Sequence, residues 1–363
     1  MTELYLGIMS GTSLDGADAV LADFSGARPV QLAHSHRPYS AALRDTLQGL
    51  CAAGTDEIRR SQEAAIELAH LYAAVTGDAL ESAGVPSADV QAAGCHGQTI
   101  RHMPEMGYTV QLNAPALLAE LSGIRIVADF RARDVAAGGQ GAPLVPAFHA
   151  AMFADTALVR VVLNLGGMSN VTLLEPGWPV RGFDCGPANV LMDAWIERTL
   201  GKKYDRNGAW AASGVVDKQM LARMMAHPFF SLQPPKSCGR EQFNLSWLMA
   251  QLSPGTPPEN VQATLAELTA QSVASALRAT GCQADELAVC GGGAFNSHLM
   301  RRLSAAIGVP TSDTSRWGIA ADAVEAMAFA WLARCTLSGR PGNIPEVTGA
   351  AGPRILGAIW PAW

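Results

Sequence analysis

The stretch that decides the fold lies near the N-terminus and reads Gly7-Ile8-Met9-Ser10-Gly11-Thr12-Ser13-Leu14-Asp15-Gly16-Ala17-Asp18. Short apolar runs flank it, residues 4–6 before it and residues 19–22 after it, so the pattern predicts a strand, a tight polar turn and a second strand. We expect the three glycines to take positive φ and to let the backbone approach a ligand closely. The hydroxyl side chains and backbone N–H groups of such a turn suit a phosphate chain. The alternative is a plain hairpin turn built from turn-forming residues.

Two further glycine-rich turns follow apolar runs. Residues 159–174 again predict strand, turn and strand, with Gly166 and Gly167 in the turn. Residues 287–290 predict a strand that leads through Gly291, Gly292 and Gly293 into a helix. The first two strand–turn–strand segments look like the same motif used twice, which predicts two related halves that each hold part of a polyphosphate. The third turn suits a nucleoside.

Composition limits the class of protein. The chain has 363 residues, of which 49% are hydrophobic and 16% are charged, so we expect a folded protein with room for two domains. A net charge of −6 and basic runs of at most two residues argue against nucleic acid or an anionic membrane as partner. The sequence shows neither a signal-peptide pattern nor a membrane-length apolar stretch. Seven scattered cysteines fit a reducing cytoplasm better than a disulfide framework.

Helical periodicity separates the three glycine-rich turns. We predict helices over residues 55–83, 189–200, 261–280 and 320–337, the last of them built from small residues that pack against a sheet. Thr55 is expected to cap the first of these helices, and Gly84 is expected to end it. Strands that alternate with helices indicate the α/β class. The domain boundary is placed in the glycine-rich segment Val135 to Gly141.

Asp184 is the strongest catalytic candidate. Gly182 and Gly186 free the backbone on both sides of it, and Pro187 suits the first position of a following helix. We expect the helix dipole to favour the charged carboxylate there. A plain helix-capping aspartate remains the alternative.

Several other polar side chains follow short apolar runs. Arg131 and Arg133 can bind a carboxylate or phosphate or can pair with neighbouring aspartates, and His96 and Gln98 can bind a sugar or be structural. Glu325, in the small-residue helix, faces either solvent or a site. The basic turn from Pro235 to Glu241 is read as solvated, with closure over phosphates as the other possibility.

Six motifs, found in order along the chain, together resemble one family. They are Gly11 to Asp18, His96 to Thr99, Ala128 to Arg131 with Asp134 to Ala136, Gly138 to Pro146, Gly182 to Asp184, and Cys290 to Gly293. This ordered set resembles the bacterial anhydro-N-acetylmuramic acid kinases from residue 4 to about residue 359.

The resemblance implies a two-domain, actin-like ATPase fold with a duplicated, ribonuclease H-like core and an interdomain cleft. It implies an N-terminal domain of residues 1–134 plus 336–363 and a C-terminal domain of residues 135–335. It also implies a reaction in which ATP, with Mg²⁺, and water convert 1,6-anhydro-N-acetylmuramic acid to N-acetylmuramic acid 6-phosphate and ADP. The family recycles cell-wall sugar in the cytoplasm, and a homodimer is implied as well.

The resemblance also implies roles for individual residues. Asp184 corresponds to the catalytic base, and Asp15 is a candidate Mg²⁺ ligand. The implied nucleotide-binding residues are Gly11, Thr12, Ser13, Leu14, Asp15, Gly16, Ala17, Asp18, Gly166, Gly167, Gly291, Gly292 and Gly293. The implied sugar-binding residues are Ser13, His96, Gln98, Arg131, Arg133 and Glu325.

Two positions depart from the family's pattern. Ala188 stands where glycine is expected, and Asn207 stands where an acid is expected, which puts a metal or phosphate role for its loop in doubt. Two other functions remain open. One is a sugar kinase of the same fold that phosphorylates a plain hydroxyl, and the other is a non-catalytic nucleotide-gated protein.

Overall fold

The computed structural model describes residues 2–26, 28–234 and 236–362 and divides into two compact units. Unit 1 comprises Met1–Met152 with Ala323–Trp363, and unit 2 comprises Phe153–Asp322. The domain ranges expected from the sequence, with boundaries at 134/135 and 335/336, therefore differ from these units. The expected domains and the observed units agree in grouping the C-terminal segment with the N-terminal residues.

The strands of both units are short and follow one another closely along the chain. In chain order they are β1 (Leu4–Met9), β2 (Gly16–Asp23), β3 (Val30–Pro38), β4 (Val90–Cys95), β5 (Gln98–Met103), β6 (Tyr108–Leu112), β7 (Ile126–Ala128), β8 (Arg160–Leu165), β9 (Met168–Leu174), β10 (Arg181–Pro187), β11 (Glu286–Cys290), β12 (Thr311–Asp313) and β13 (Ala358–Trp360).

The helices range from single turns to 27 residues. In chain order they are α1 (Ala41–Leu50), α2 (Glu57–Ala83), α3 (Pro115–Ser122), α4 (Ala132–Ala136), α5 (Val145–Phe153), α6 (Asn189–Leu200), α7 (Ala209–Ser213), α8 (Lys218–Met225), α9 (Leu245–Met249), α10 (Pro258–Thr280), α11 (Ser297–Ile307), α12 (Val324–Leu337) and α13 (Pro345–Thr348).

The main sheets of the two units share one five-strand topology, to which the sheet of unit 1 adds the antiparallel edge strand β13. The sheet of unit 1 has the order β3-β2-β1-β4-β7-β13, and that of unit 2 has the order β10-β9-β8-β11-β12. In each, the first three strands in sequence are antiparallel, and the next two join in parallel beside the first. The duplicated core predicted from the repeated strand–turn–strand pattern is therefore confirmed.

Helix α12 lies unusually close to the sheet of unit 1. A Cβ atom added at Gly7 on β1 would lie 1.7 Å from the carbonyl oxygen of Ala326, and one added at Gly94 on β4 would lie 2.0 Å from that of Phe329. Only glycine on the strands, facing small residues on the helix, permits this approach. The predicted packing of a small-residue helix on a sheet is confirmed, although the helix begins at Val324 rather than at residue 320.

Helix ends were predicted well where glycine closes the helix. Gly84 ends α2 and Gly281 ends α10, each in the left-handed conformation that glycine accepts without strain. Both predicted ends of α6 are confirmed. The cap expected at Thr55 is wrong, since α2 begins at Glu57 and its N-cap residue is Asp56, whose side chain accepts no capping hydrogen bond.

Two composition-based expectations can be compared with the fold. All seven cysteines carry free thiols. Among the described residues, every helix is too short or too polar to cross a bilayer.

Candidate active site

The first glycine-rich turn joins β1 to β2 in unit 1. Leu14 takes a φ of 57° and its N–H donates to the Gly11 carbonyl at 3.3 Å, which closes the turn. The Ser13 hydroxyl donates to Asp15 at 2.7 Å, and this carboxylate is exposed. The expectation of positive φ at the turn's glycines is wrong, because the left-handed residue is Leu14. Gly16 is needed for space instead, since a Cβ there would lie 2.3 Å from the carbonyl oxygen of Arg37.

Buried polar side chains support this turn through hydrogen bonds. Gln98, fully buried, donates from Nε2 to the Gly11 carbonyl at 3.1 Å and accepts at Oε1 from the Tyr39 hydroxyl at 3.0 Å. Ser10, also buried, shares a 2.7 Å hydrogen bond with the Tyr72 hydroxyl. The predicted sugar ligand Gln98 is thus hydrogen-bonded to the first glycine-rich turn, and its role toward a sugar remains a prediction.

His96, which is buried, and Arg131, which is half-buried, form a pair beside the same turn. Arg131 donates from Nε and Nη2 to His96 Nε2 at 3.1 and 2.9 Å, and from Nη1 to the Gly141 carbonyl at 2.8 Å. Burial and the Arg131 charge lower the pKa of His96 to about 3, so Nε2 is unprotonated and accepts. Burial also lowers the pKa of Arg131 to about 10, against the opposing effect of Glu325 and Asp134. Among the described residues, Arg131 thus hydrogen-bonds to His96 and to the Gly141 carbonyl, and the predicted alternative of pairing with surface aspartates is not observed.

Two acids, Glu325 and Asp18, join His96 and Arg131 in what we call the polar cluster of unit 1. Burial raises the pKa of Glu325 in the first turn of α12, and the charge of Asp18 adds to that effect while Arg131 opposes it. Asp18 accepts from His34 at 2.8 Å and from His36 at 3.2 Å. The sequence left the direction of Glu325 open, and the structure places it near Arg131.

Not every predicted ligand joins this cluster. Arg133 is exposed on α4. Among the described residues, groups of three or more acids, histidines or cysteines arranged to hold a metal are absent. Asp15 as a metal ligand stays a prediction, because Mg²⁺ bound with nucleotide needs only one or two carboxylates.

The two remaining glycine-rich turns contact each other in unit 2. Asn189 at the start of α6 donates its backbone N–H to Gly166 and its side-chain amide to the Leu165 carbonyl. A Cβ added at Gly293 would lie 2.6 Å from Leu165 Cβ and 3.2 Å from Asn189 Oδ1. Gly291 has a φ of 81°, and its added Cβ would lie 2.4 Å from the side-chain oxygen of Asn164. The predicted second phosphate loop and adenosine loop are therefore brought together.

The two positions that depart from the family's pattern are both accommodated. Ala188 is buried immediately before α6, and its N–H donates to the Gly167 carbonyl at 2.9 Å. Asn207 takes a left-handed φ of 57°, which asparagine tolerates better than most residues. The neighbouring acid, Asp205, accepts from the backbone N–H groups of Trp210 and Ala211 and so stabilises the start of α7.

Asp184 lies on β10 where the pairing with β9 is irregular. Its Oδ2 accepts from the Ser237 hydroxyl at 2.9 Å and from the Cys238 N–H at 3.0 Å. Burial raises the pKa of Asp184, and these two hydrogen bonds oppose the rise. The expected position at a helix N-terminus is wrong, because Pro187 is the last residue of the strand and α6 begins only at Asn189. The helix-capping alternative is excluded for the same reason.

The basic turn after residue 234 therefore is more than a solvated loop. Its residues 236–238 contact Asp184, and Pro235 lies outside the described residues. In the sequence, charge alone distinguishes this turn. No local pattern indicates that the partner of the turn is an aspartate more than 50 residues earlier in the chain.

Known proteins resemble this chain over its whole length. A family model described as "Anhydro-N-acetylmuramic acid kinase" matches residues 3–362. A protein of that name from Bordetella pertussis is 55% identical over 99% of this chain and 96% of its own, and one from Pseudomonas paraeruginosa is 54% identical over 99% of both. Component A of the Acidaminococcus fermentans (R)-2-hydroxyglutaryl-CoA dehydratase, at 16% identity and a TM-score of 0.50, covers 90% of this chain and 96% of its own. That similarity concerns the fold alone and agrees with the α/β, actin-like class predicted from the sequence. The chain belongs to the anhydro-N-acetylmuramic acid kinase family.

Proposed function

We propose that this chain phosphorylates 1,6-anhydro-N-acetylmuramic acid with ATP and opens its anhydro bridge with water, giving N-acetylmuramic acid 6-phosphate and ADP in the recycling of cell-wall sugar. The observation that carries this proposal is full-length identity of 55% to proteins named for that activity. The glycine-rich turns, the polar cluster of unit 1 and Asp184 offer side chains and backbone groups of the kinds that the reaction requires.

The glycine-rich turns are proposed to bind ATP. Phosphoryl transfer depends mainly on positioning and charge stabilisation, and backbone N–H groups in tight turns supply both. The open space around Gly11 and Gly292, where an added Cβ would meet nothing closer than 3.5 Å, leaves backbone accessible to phosphates or a nucleoside. The exposed Asp15 fits a Mg²⁺ ion held together with the phosphates, and Mg²⁺ would neutralise charge on the transferred group.

The polar cluster of unit 1 is proposed to bind the sugar. Arg131 keeps a positive charge in a half-buried setting, and a guanidinium there suits the lactyl carboxylate of the substrate. Glu325 adds an acceptor for sugar hydroxyls near that charge. His96 acts indirectly in this proposal, since its Nε2 already orients Arg131.

Asp184 is proposed to act as the base. The carboxylate takes a proton from water while the water oxygen bonds to C1 and the C1–O6 bond breaks. The freed O6 then takes the γ-phosphoryl group, and ADP leaves. The burial that raises the pKa of Asp184 makes the carboxylate a stronger base than an exposed aspartate.

Release of ADP, measured with the anhydro sugar, with N-acetylmuramic acid and without sugar, tests the proposal. We expect turnover with the anhydro sugar alone. Equal turnover with the open sugar would identify a kinase for a plain hydroxyl, and no turnover with any sugar would favour the non-catalytic alternative.

Asp184→Asn tests the assignment of the base. The substitution preserves the shape and removes the basic oxygen, so turnover should fall by at least ~10² while ATP binding stays near normal. Near-normal turnover of this variant would show that another group accepts the proton.

A further inference from the structure

We propose that Ser237 is a positioning residue for Asp184: together with the Cys238 amide it fixes carboxylate oxygen Oδ2, so that Oδ1 is the oxygen presented to the reacting water. The inference rests on the proposed role of Asp184 as the base. It assigns a function to the basic turn, for which sequence analysis left two interpretations open.

The hydrogen bonds define which carboxylate oxygen is free. Both donors, the Ser237 hydroxyl at 2.9 Å and the Cys238 N–H at 3.0 Å, converge on Oδ2. The Asp184 N–H donates to the Lys236 carbonyl at 3.1 Å, so the backbone of the turn also pairs with the strand that carries the base. Three contacts between two distant segments fix the rotation of the carboxylate as well as its location.

The turn is itself anchored to a packed aromatic cluster. Lys236 Nζ donates to the Phe229 carbonyl at 3.4 Å and lies 4.7 Å from the centre of the Phe229 ring. That ring packs edge-on against the fully buried Phe243 at 5.7 Å. On the other side, Phe230 closes on Gly186, where an added Cβ would lie 2.7 Å from the ring. The donors to Asp184 therefore rest on a rigid support, which suits a positioning role.

Among the groups around Asp184, the Ser237 hydroxyl is the one whose hydrogen bond to the carboxylate can be removed by a side-chain substitution. Lys236 is the cation next to Ser237 in the turn, and burial lowers its pKa. The thiols of Cys185 and Cys238 have pKa values raised by burial, Cys238 to about 12, so both are neutral at pH 7. The Cys238 amide belongs to the backbone and survives side-chain substitution. Removal of the Ser237 hydroxyl therefore subtracts one hydrogen bond that stabilises the charged carboxylate.

The test is the pH dependence of kcat/KM for the anhydro sugar in Ser237→Ala, Ser237→Cys and Ser237→Thr. Without the hydroxyl, the base ionises at higher pH, so the acidic limb should move upward by about one pH unit, a tenfold loss of kcat/KM on that limb. Cysteine keeps the size of the side chain but is a weak donor, so a shift in the same direction is expected. Threonine keeps the hydroxyl at an exposed position and should restore the wild-type limb.

The outcomes separate this inference from the proposed function. If Asp184→Asn is inactive but the acidic limb of both Ser237→Ala and Ser237→Cys coincides with that of the wild type, Ser237 has no positioning role. A uniform loss of activity at all pH values, without movement of the limb, would indicate a structural role and also overturn the inference. If Asp184→Asn itself turns over normally, the base is misassigned and the inference fails with it.

Discussion

The close contact between α12 and the first strand makes a quantitative prediction for Gly7→Ala. The new methyl group would lie 1.7 Å from the Ala326 carbonyl oxygen and 2.7 Å from the Ala330 nitrogen, both backbone atoms that cannot rotate away. The helix must recede by about 1.3 Å before the first contact reaches 3.0 Å. Overpacking of a core costs ~1–3 kcal/mol when side chains can adjust, and here backbone must move, so we expect at least ~3 kcal/mol.

The matched control is Gly77→Ala. Gly77 lies within α2, is exposed, and an added Cβ would meet no heavy atom within 4 Å. Alanine is the better helix former, so this variant should gain ~0.5–1 kcal/mol. The two substitutions add the same methyl group, at Gly7 against the backbone of α12 and at Gly77 on an open helix surface.

Chemical denaturation at constant pH, with thermal unfolding as a second probe, measures both effects. For a unit of this size ~3 kcal/mol corresponds to a fall in Tm of roughly 6–12 °C. Because α12 also carries Glu325, the KM for the anhydro sugar should rise in the folded fraction of Gly7→Ala. A Tm within ~2 °C of the wild type would refute the reasoning, since a shift of that size corresponds to less than ~1 kcal/mol.

Two further predictions concern the nucleotide loops and the response to acid. Gly291→Ala should weaken ATP binding at least ~10-fold, because a left-handed φ of 81° and a 2.4 Å contact both oppose a side chain. The control Gly292→Ala adds its methyl group in open space and should unfold as the wild type does. Calorimetric titration with ATP and thermal unfolding measure both variants, and equal ATP affinity in Gly291→Ala and the wild type would count against the loop assignment. His96 and His149 each have a pKa of about 3 in the folded protein against an ordinary value of 6.5, so the stability they contribute is complete above pH 6.5 and is lost as the pH falls toward 3. The free energy of unfolding should therefore decrease on acidification through that window, and His96→Asn should make the slope shallower; an unchanged slope would mean that His96 does not stay neutral in the folded state.

Features with a local cause could be predicted from the sequence. Apolar runs on both sides of a glycine-rich turn predicted β1–β2 and β8–β9, because alternation and turn chemistry act within a few residues. Helix ends at Gly84 and Gly281 followed for the same reason, since a left-handed residue is needed at that one position. The duplicated topology could be inferred because both units repeat the same local signal.

Features with a distant cause could not be predicted in this way. Pro187 suits the first turn of a helix as well as the end of a strand, and the choice depends on the pairing of β10 with β9. The reason for Gly7 was also misjudged: a glycine beside a turn indicates positive φ, yet this one is required by a helix more than 300 residues later.

The support of the first glycine-rich turn shows why candidate ligands are easier to predict from the sequence than the residues that hold them in place. Tyr72 and Tyr39 would be assigned to an apolar core from helical periodicity and flanking residues, and their rings are indeed buried. Their hydroxyls nevertheless bond to Ser10 and Gln98, partners 62 and 59 residues away, and burial raises the pKa of Tyr39 to about 12 so that its hydroxyl remains a donor. A buried amide without such partners would cost free energy, so these residues are constrained jointly. The shape of the turn at Gly11 thus depends on core tyrosines that lie far from it in the sequence.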